Sequence, residues 1–465
     1  MRVSVDYGGG RRIPDVPAGR DELGVLAGFR EAWHGCLTRR ADALFELTDA
    51  LLCAPGPVSS LPSLSLEPTF RRGHGSLYAA LAKGRVDAKA ARELLVAHRP
   101  GDWPLVFAVD TSSWPRCDAE CSPQRGLYYH PSRHSAGQPI VAGWSYAWIA
   151  QLSWDTDSWT APLDSVRVPP GDDTGRTTAE QITALVGRLG ATAQAPLFVH
   201  DAGYDPVGLT VDLDGVRAQV LVRIRSDRVF STDPPERAPG AIGRPRRHGR
   251  RFACDDPATW GDPDDRLSVN DDQYGHVEVT AWRRLHPRLG HRGRWRHHPG
   301  PLPIVRGTII RVQVQHLPKH DTRAVKTLWL WHAGAADADL DACWRAYIRR
   351  FDCEHTLRFG KHTLGWVTPR VRHPAQADRW TWLVLAAYTQ LRLARGVVAD
   401  QRLPWERRLP TRRLSPLRVR RGFPRLACAL GSPASAPKPC GHSPGRPKGR
   451  RCGPAPRYPA IKKTA

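Results

Sequence analysis

The chain contains no apolar stretch able to cross a bilayer. Its longest, Trp382 to Tyr388, covers seven residues, against the roughly 20 that a membrane helix needs. No charged-then-apolar leader opens it, so a soluble chain kept inside the cell and off the membrane is expected. The ten cysteines are scattered from Cys36 to Cys452. That spacing excludes a dense disulfide framework and fits a reducing compartment. Acidic residues are scarce, 45 against 69 Lys plus Arg, leaving a formal charge of +24. An excess of that size points to a polyanion such as nucleic acid.

The excess is uneven. Residues 402–465 hold 17 basic residues and one acidic residue, Glu406, so +16 of the charge lies there and +8 in the other 401 residues. What the body of the chain does hold is 41 % hydrophobic residues and 17 Trp. This is enough for real cores in a chain long enough for two or three domains, and it excludes global disorder.

Five regions follow from texture. Residues 1–97 form an N-terminal helical region in which Leu23, Leu26, Phe29, Trp33, Leu37, Leu44, Leu47 and Leu51 recur at helical spacing. Its second block, Ser76 to His98, is split at Gly84 and restarted by Asp87 as a helix cap. Such a pair suits either a DNA-binding helix-turn-helix or plain antiparallel helices, the commoner case. Residues 98–228 alternate strands and helices. Two apolar runs, Leu105 to Val109 and Pro196 to His200, each deliver an aspartate, Asp110 and Asp201. That is the pattern of buried strands in an α/β layer with a mixed sheet.

Residues 229–336 read as a β-rich insertion, Pro-, Gly- and Arg-rich, with basic clusters at Arg244 to Arg251 and Arg283 to His298. Helical texture resumes over 337–400. Residues 401–465, with 12 Pro in the last 64 positions, read as a disordered basic tail. Within it, Gly445-Arg446-Pro447-Lys448-Gly449-Arg450 approaches the AT-hook pattern, which places an extended Arg-Pro unit in a narrow minor groove. Generic phosphate attraction is the equally plain reading of Arg446, Lys448 and Arg450. Cys117-x3-Cys121 before His130-x3-His134 has the look of a zinc finger, but the eight-residue gap joins two core strands, which favours coincidence.

The chemistry concentrates in Tyr347, Arg350, Glu354 and Lys361, at offsets 0, 3, 7 and 14. At about 100° per residue a single helix would carry all four within a stripe about 60° wide. A carboxylate flanked by phenol, guanidinium and ammonium suits a metal ion beside phosphate. This Y-x2-R-x3-E-x6-K spacing resembles the signature of the DDE transposases of bacterial insertion sequences, in the branch that carries a Tyr-Arg-Glu-Lys motif. The resemblance extends to Phe107-Ala108-Val109-Asp110-Thr111, to Val199 through Asp205, to Ile140 through Tyr146 and to Leu364-Gly365-Trp366.

The resemblance implies a ribonuclease-H-like α/β catalytic domain interrupted by the β-rich insertion. It implies Asp110, Asp201 and Glu354 as catalytic, metal-binding residues, 91 and 153 positions apart. Three converging carboxylates call for cations, two Mg²⁺ being the natural hard-ion choice, with Mn²⁺ able to substitute. Tyr347, Arg350 and Lys361 would contact DNA phosphates, and one of Trp282, Trp295, Trp329 or Trp331 would stack a flipped base. The partners implied are double-stranded DNA, as terminal inverted repeats and target, in an assembly compatible with a homodimer. The expected place is the bacterial cytoplasm, at the nucleoid. A catalytically inactive or domesticated transposase that only binds DNA is the alternative.

Overall fold

A computed structural model of the protein describes residues 20–134, 138–237, 239–240, 242–316, 326–439, 449 and 453–462. The N-terminal part is helical. In α1 (Arg20–Gly35), Leu26, Phe29 and Trp33 share one buried stripe, as offsets of three and four dictate. β1 (Leu37–Arg39) pairs with β2 (Arg85–Val86), bracketing α2 (Ala41–Cys53), the short α3 (Leu61–Leu64) and α4 (His74–Lys83). α5 (Ala88–Ala97) starts at Asp87, whose carboxylate accepts from the N–H groups of Lys89 and Ala90, so the expected cap is present.

The central sheet begins with β3 (Val106–Pro115), apolar and buried up to Val109. It continues five residues past Asp110 instead of ending there. β4 (Gly126–His134), β5 (Gln138–Leu152) and β6 (Thr160–Val168) follow, β5 pairing antiparallel with β3, β4 and β6. α6 (Thr174–Leu189), capped by Asp173, crosses to β7 (Leu197–His200), which lies parallel to β3. α7 (Pro206–Asp212), capped by Asp205, leads to β8 (Gln219–Ile224), parallel to β7. The continuous apolar runs of β3 and β7 reflect burial on both faces.

Residues 229–336 are β-rich, but they do not stand apart. A ribbon of β9 (Val229–Ser231) and β10 (Arg251–Ala253) is followed by β11 (Asp265–Asp271), β12 (Gly275–Leu285), β13 (Gly307–Val314) and β14 (Lys326–Gly334). β14 pairs antiparallel with β8, so the insertion extends the central sheet. The sheet has ten strands in the order β11-β12-β13-β14-β8-β7-β3-β5-β4, with β6 on β5. A second apolar core, with Phe230, Phe252, Trp282, Trp329 and Trp331, packs under the ribbon.

α8 (Leu340–Arg349) and α9 (Phe351–His362) follow. The single helix expected here is interrupted at Arg350, whose φ of −52° and ψ of −33° keep the path helical. α10 (Pro374–Ala394) is apolar over most of its circumference and buried, as a helix between layers must be. The reading of 401–465 as a disordered tail is corrected for 401–439, within its described residues. α11 (Pro416–Leu430) buries Val419, Phe423 and Leu426, and Arg420 donates to the carbonyls of Leu51 and Gly56. Further on, the N–H groups of Tyr458 and Ile461 donate to Glu120 and Arg125. The apolar positions of α11, masked in the sequence by its basic and Pro-rich setting, are what fold it.

Arg30 ties these pieces together. Its buried guanidinium donates to Asp49 of α2 at 2.7 Å, Gln390 of α10 at 2.8 Å and the Gly431 carbonyl after α11 at 2.9 Å. The N-terminal helices therefore share one apolar cluster with the central sheet and α10.

Candidate active site

The three candidate carboxylates stand on three separate elements, and of them Asp110 and Glu354 share a cleft that Asp201 does not line. Asp110 sits midway along β3 opposite Trp148 of β5, and its Oδ1 accepts the Thr111 N–H at 2.8 Å. Asp201 follows the last residue of β7, the strand parallel to β3, and accepts the Gly203 N–H at 2.9 Å. Glu354 stands in the first turn of α9. Asp110 and Glu354 line one cleft of about 770 Å³, together with Tyr128, Tyr129, Ser145, Arg358, Lys361 and His362.

Arg350 occupies the ground between the acids. Its Nη2 lies 2.8 Å from Glu354 and its Nη1 3.8 Å from Asp110 Oδ2. Its Nε and Nη1 are buried without a hydrogen-bond partner, as is the Tyr347 hydroxyl. Phe351 stacks against the guanidinium, ring centre 5.0 Å away. The interruption between α8 and α9 thus falls on the residue that turns inward.

Electrostatics mark the cluster. Burial pushes the Asp110 carboxyl up to about 6, opposed by Arg350 and reinforced by the charges of Asp201 and Glu354. Burial works to lower the Arg350 guanidinium, but Asp110 and Glu354 outweigh it and hold the group above its ordinary value. Lys361 is lowered by burial, with Asp110 pulling the other way. Beside Asp201, His200 is wholly buried, and burial takes its imidazole down to about 3, so it is neutral. Its ring packs edge-on against Tyr204, ring centres 4.8 Å apart.

The donor set suits a hard divalent cation: three carboxylates whose charges are felt mutually at Asp110. Among the described residues, however, no three acidic, imidazole or thiol groups are drawn close enough to hold an ion. The counter-charge present is the guanidinium of Arg350.

Of the other candidates, Lys361 faces the cleft, whereas Tyr347 is buried, 3 % exposed. The expected shared stripe therefore splits into an inward pair, Tyr347 and Arg350, and a cleft-facing pair, Glu354 and Lys361. Trp282, Trp329 and Trp331 are buried in the second core, and Trp295 is half-buried beneath Arg294, 5.3 Å from its ring centre. Arg446, Lys448 and Arg450 lie outside the described residues, as do the side chains of His130 and His134. Arg358, Tyr128 and Tyr129 were not singled out from sequence. Arg358 carried a signal, one helical turn beyond Glu354.

Residues 33–294 match the model of the DDE superfamily endonuclease family. That span is more than half of the chain, and the protein belongs to this family. The matched span holds Asp110 and Asp201 and ends before Glu354. Among solved structures, the cryo-EM structure of a piggyBac transposase synaptic complex with hairpin DNA is similar at 10 % identity, over 89 % of this chain and 78 % of that one, with a TM-score of 0.37. No curated protein matches the chain. No helix of the described residues is long and apolar enough to cross a membrane.

Proposed function

We propose that this family member is a transposase of the insertion-sequence branch with the Tyr-Arg-Glu-Lys signature, acting on the ends of its own element. The observation that carries this reading is the meeting of Asp110 and Glu354 in one cleft with Arg358 and Lys361. A cleft lined by both acids and cations fits a phosphodiester, which the cations hold while the acids serve the reacting oxygens.

The five strands β6-β5-β3-β7-β8, three antiparallel and then two parallel to β3, support a ribonuclease-H-like core. Asp110, Asp201 and Glu354 would hold Mg²⁺, with Mn²⁺ able to replace it. A bound ion pair supplies activation of a water or DNA 3′-hydroxyl and stabilisation of the leaving oxygen. Lys361 and Arg358 bind the phosphates flanking the scissile bond. Arg350 leaves the carboxylates for a DNA phosphate, so that its charge is exchanged and not lost. Trp295, the accessible member of the four tryptophans, is the base-stacking candidate. Two copies on paired ends, in the cytoplasm at the nucleoid, complete the reading.

The test is nicking of a duplex carrying the inverted repeats that flank the gene, with Mg²⁺, by wild type and by Glu354→Gln. Nicks and strand-joined products from the wild type alone are expected. Equal cutting by both proteins overturns the site. Binding without cutting by either leaves the inactive, DNA-binding alternative.

A further inference from the structure

The segment Gly243-Arg244-Pro245-Arg246 has the same Gly-Arg-Pro-basic order as Gly445 to Lys448, but here it belongs to a fixed part of the fold. Ahead of it, Arg237 donates to the Gly243 carbonyl at 3.0 Å. Behind it, Arg247 donates to the Leu302 carbonyl. His248 shares a 2.9 Å hydrogen bond with His286, which is wholly buried. The Gly249 N–H donates to the Thr232 carbonyl at 2.8 Å, where any side chain on Gly249 would collide with the Asp233 carbonyl. Held at both ends, residues 244–246 are exposed and belong to no helix or strand.

The charges here are uncommitted. Arg251, Arg283, Arg284, Arg294 and Arg306 of the same region each pair with an aspartate. Arg244 and Arg246 pair with no carboxylate among the described residues. A neighbouring pocket of about 320 Å³ is lined by Arg244, Arg247, His248 and His291 with no acidic residue. The pocket thus joins the first basic cluster, through Arg244, Arg247 and His248, to His291 of the second.

Backbone chemistry sets the shape. Pro245 fixes its own φ and biases Arg244 away from helix, toward extended backbone. Gly243, at a φ of +101°, lets the chain turn into the segment where a side chain would be strained. In an extended chain the two arginines stand roughly 6–7 Å apart, close to about two base steps of 3.4 Å along a strand. The narrow minor groove of A·T-rich DNA has a deepened negative potential that draws in arginine.

We propose that Arg244-Pro245-Arg246 is a pre-positioned minor-groove reader, through which the insertion holds A·T-rich duplex DNA. This rests on the reading of the chain as an enzyme acting on DNA. The test is fluorescence anisotropy with the full chain, two 20-base-pair duplexes, one an A-tract and one all G·C, and netropsin as minor-groove competitor. The wild type prefers the A-tract by about tenfold, and netropsin removes the preference. In Arg244→Ala/Arg246→Ala the preference falls to about twofold or less while G·C binding stays within about threefold. Both side chains are exposed, so the melting temperature of this variant matches wild type. Arg446→Ala/Arg450→Ala is the control for the tail and keeps the preference.

A preference that survives in Arg244→Ala/Arg246→Ala overturns the proposal, as does an equal weakening on both duplexes, which marks plain phosphate contact. Wild-type binding to both duplexes without preference overturns the reader but leaves the enzyme reading intact. Binding to neither also overturns the reader, and the enzyme reading then stands or falls on the inverted-repeat duplex.

Discussion

Replacing Arg350 by methionine tests the candidate site most directly. The guanidinium is 6 % exposed and touches both Glu354 and Asp110, at 2.8 and 3.8 Å. Methionine keeps much of the stem's volume and removes the cation that holds the two acids together. Deleting one partner of a buried pair costs about 3–5 kcal/mol, because the charge left behind stays desolvated. The Glu354 side chain is 39 % exposed, so water screens its share and the lower end applies, about 3 kcal/mol. Asp110 carries a separate cost already in the wild type. Its carboxyl midpoint already stands at about 6 against an ordinary 3.8, which at about 1.4 kcal/mol per pH unit is again about 3 kcal/mol against the ionised folded form.

That figure holds with Arg350 in place, and without it the carboxyl moves higher still. Urea unfolding at pH 7 should therefore show Arg350→Met less stable by about 3 kcal/mol. At pH 5, where folded Asp110 is mostly protonated, the loss should be clearly smaller. Adding Glu354→Gln should restore roughly 1 kcal/mol or more, because the remaining like-charge pair is gone. Mn²⁺ should raise the melting temperature of Arg350→Met more than that of wild type, since the guanidinium then no longer competes for the carboxylates. Equal losses at pH 5 and pH 7, with no recovery in the double variant, would show that Arg350 serves packing alone.

The pH dependence of Asp110 can also be read by itself. A folded midpoint of about 6 above the ordinary 3.8 makes its contribution fully favourable below 3.8 and lost as pH rises through 6. Asp110→Asn should flatten the stability of the metal-free chain in that window, followed by urea titration at several pH values. In the core, Trp366→Ala should cost about 3–5 kcal/mol. Its ring meets Trp148 and Tyr146 edge-on at 4.9 and 5.6 Å, and its N–H donates to Thr381 at 2.9 Å; an unchanged thermal midpoint would contradict this packing. Arg30→Met should cost about 3–5 kcal/mol by stranding buried Asp49, seen as early proteolytic release of the first helices. Deletion from residue 402 onward should expose the apolar surface under α11 and raise binding of a hydrophobic dye, whereas a dispensable tail would leave dye binding unchanged.

Where a short-range pattern controls an element, the chain was legible. The apolar runs before Asp110 and Asp201 are buried strands, parallel neighbours that bring the two acids to one region of the sheet. Asp87 caps its helix because an aspartate ahead of an apolar repeat has N–H groups to satisfy. Sheet continuation was not legible. Nothing in the texture of Gln219 to Ile224 or Lys326 to Gly334 says that these strands pair with each other across a hundred residues. Pairing depends on which edge is left open once the rest has folded, a property of the whole sheet. The order of α11 escaped for a related reason. Its arginines look like tail charge until Arg418 and Arg421 meet Asp400 and Glu406, and only then do Val419 and Phe423 become a buried face.

The site itself was half legible, and the missing half concerns polarity. Helical periodicity places Tyr347, Arg350, Glu354 and Lys361 on one stripe, but it cannot tell which way the stripe faces along its length. Tyr347 and Arg350 end α8 against the sheet, while Glu354 and Lys361 belong to α9 and reach the cleft. Arg350 falls at the junction and so faces inward to the acids. Its burial without a full set of hydrogen-bond partners is costly, and that cost is tolerable only because Asp110 and Glu354 need a counter-charge. The acids in turn tolerate burial because the guanidinium is there.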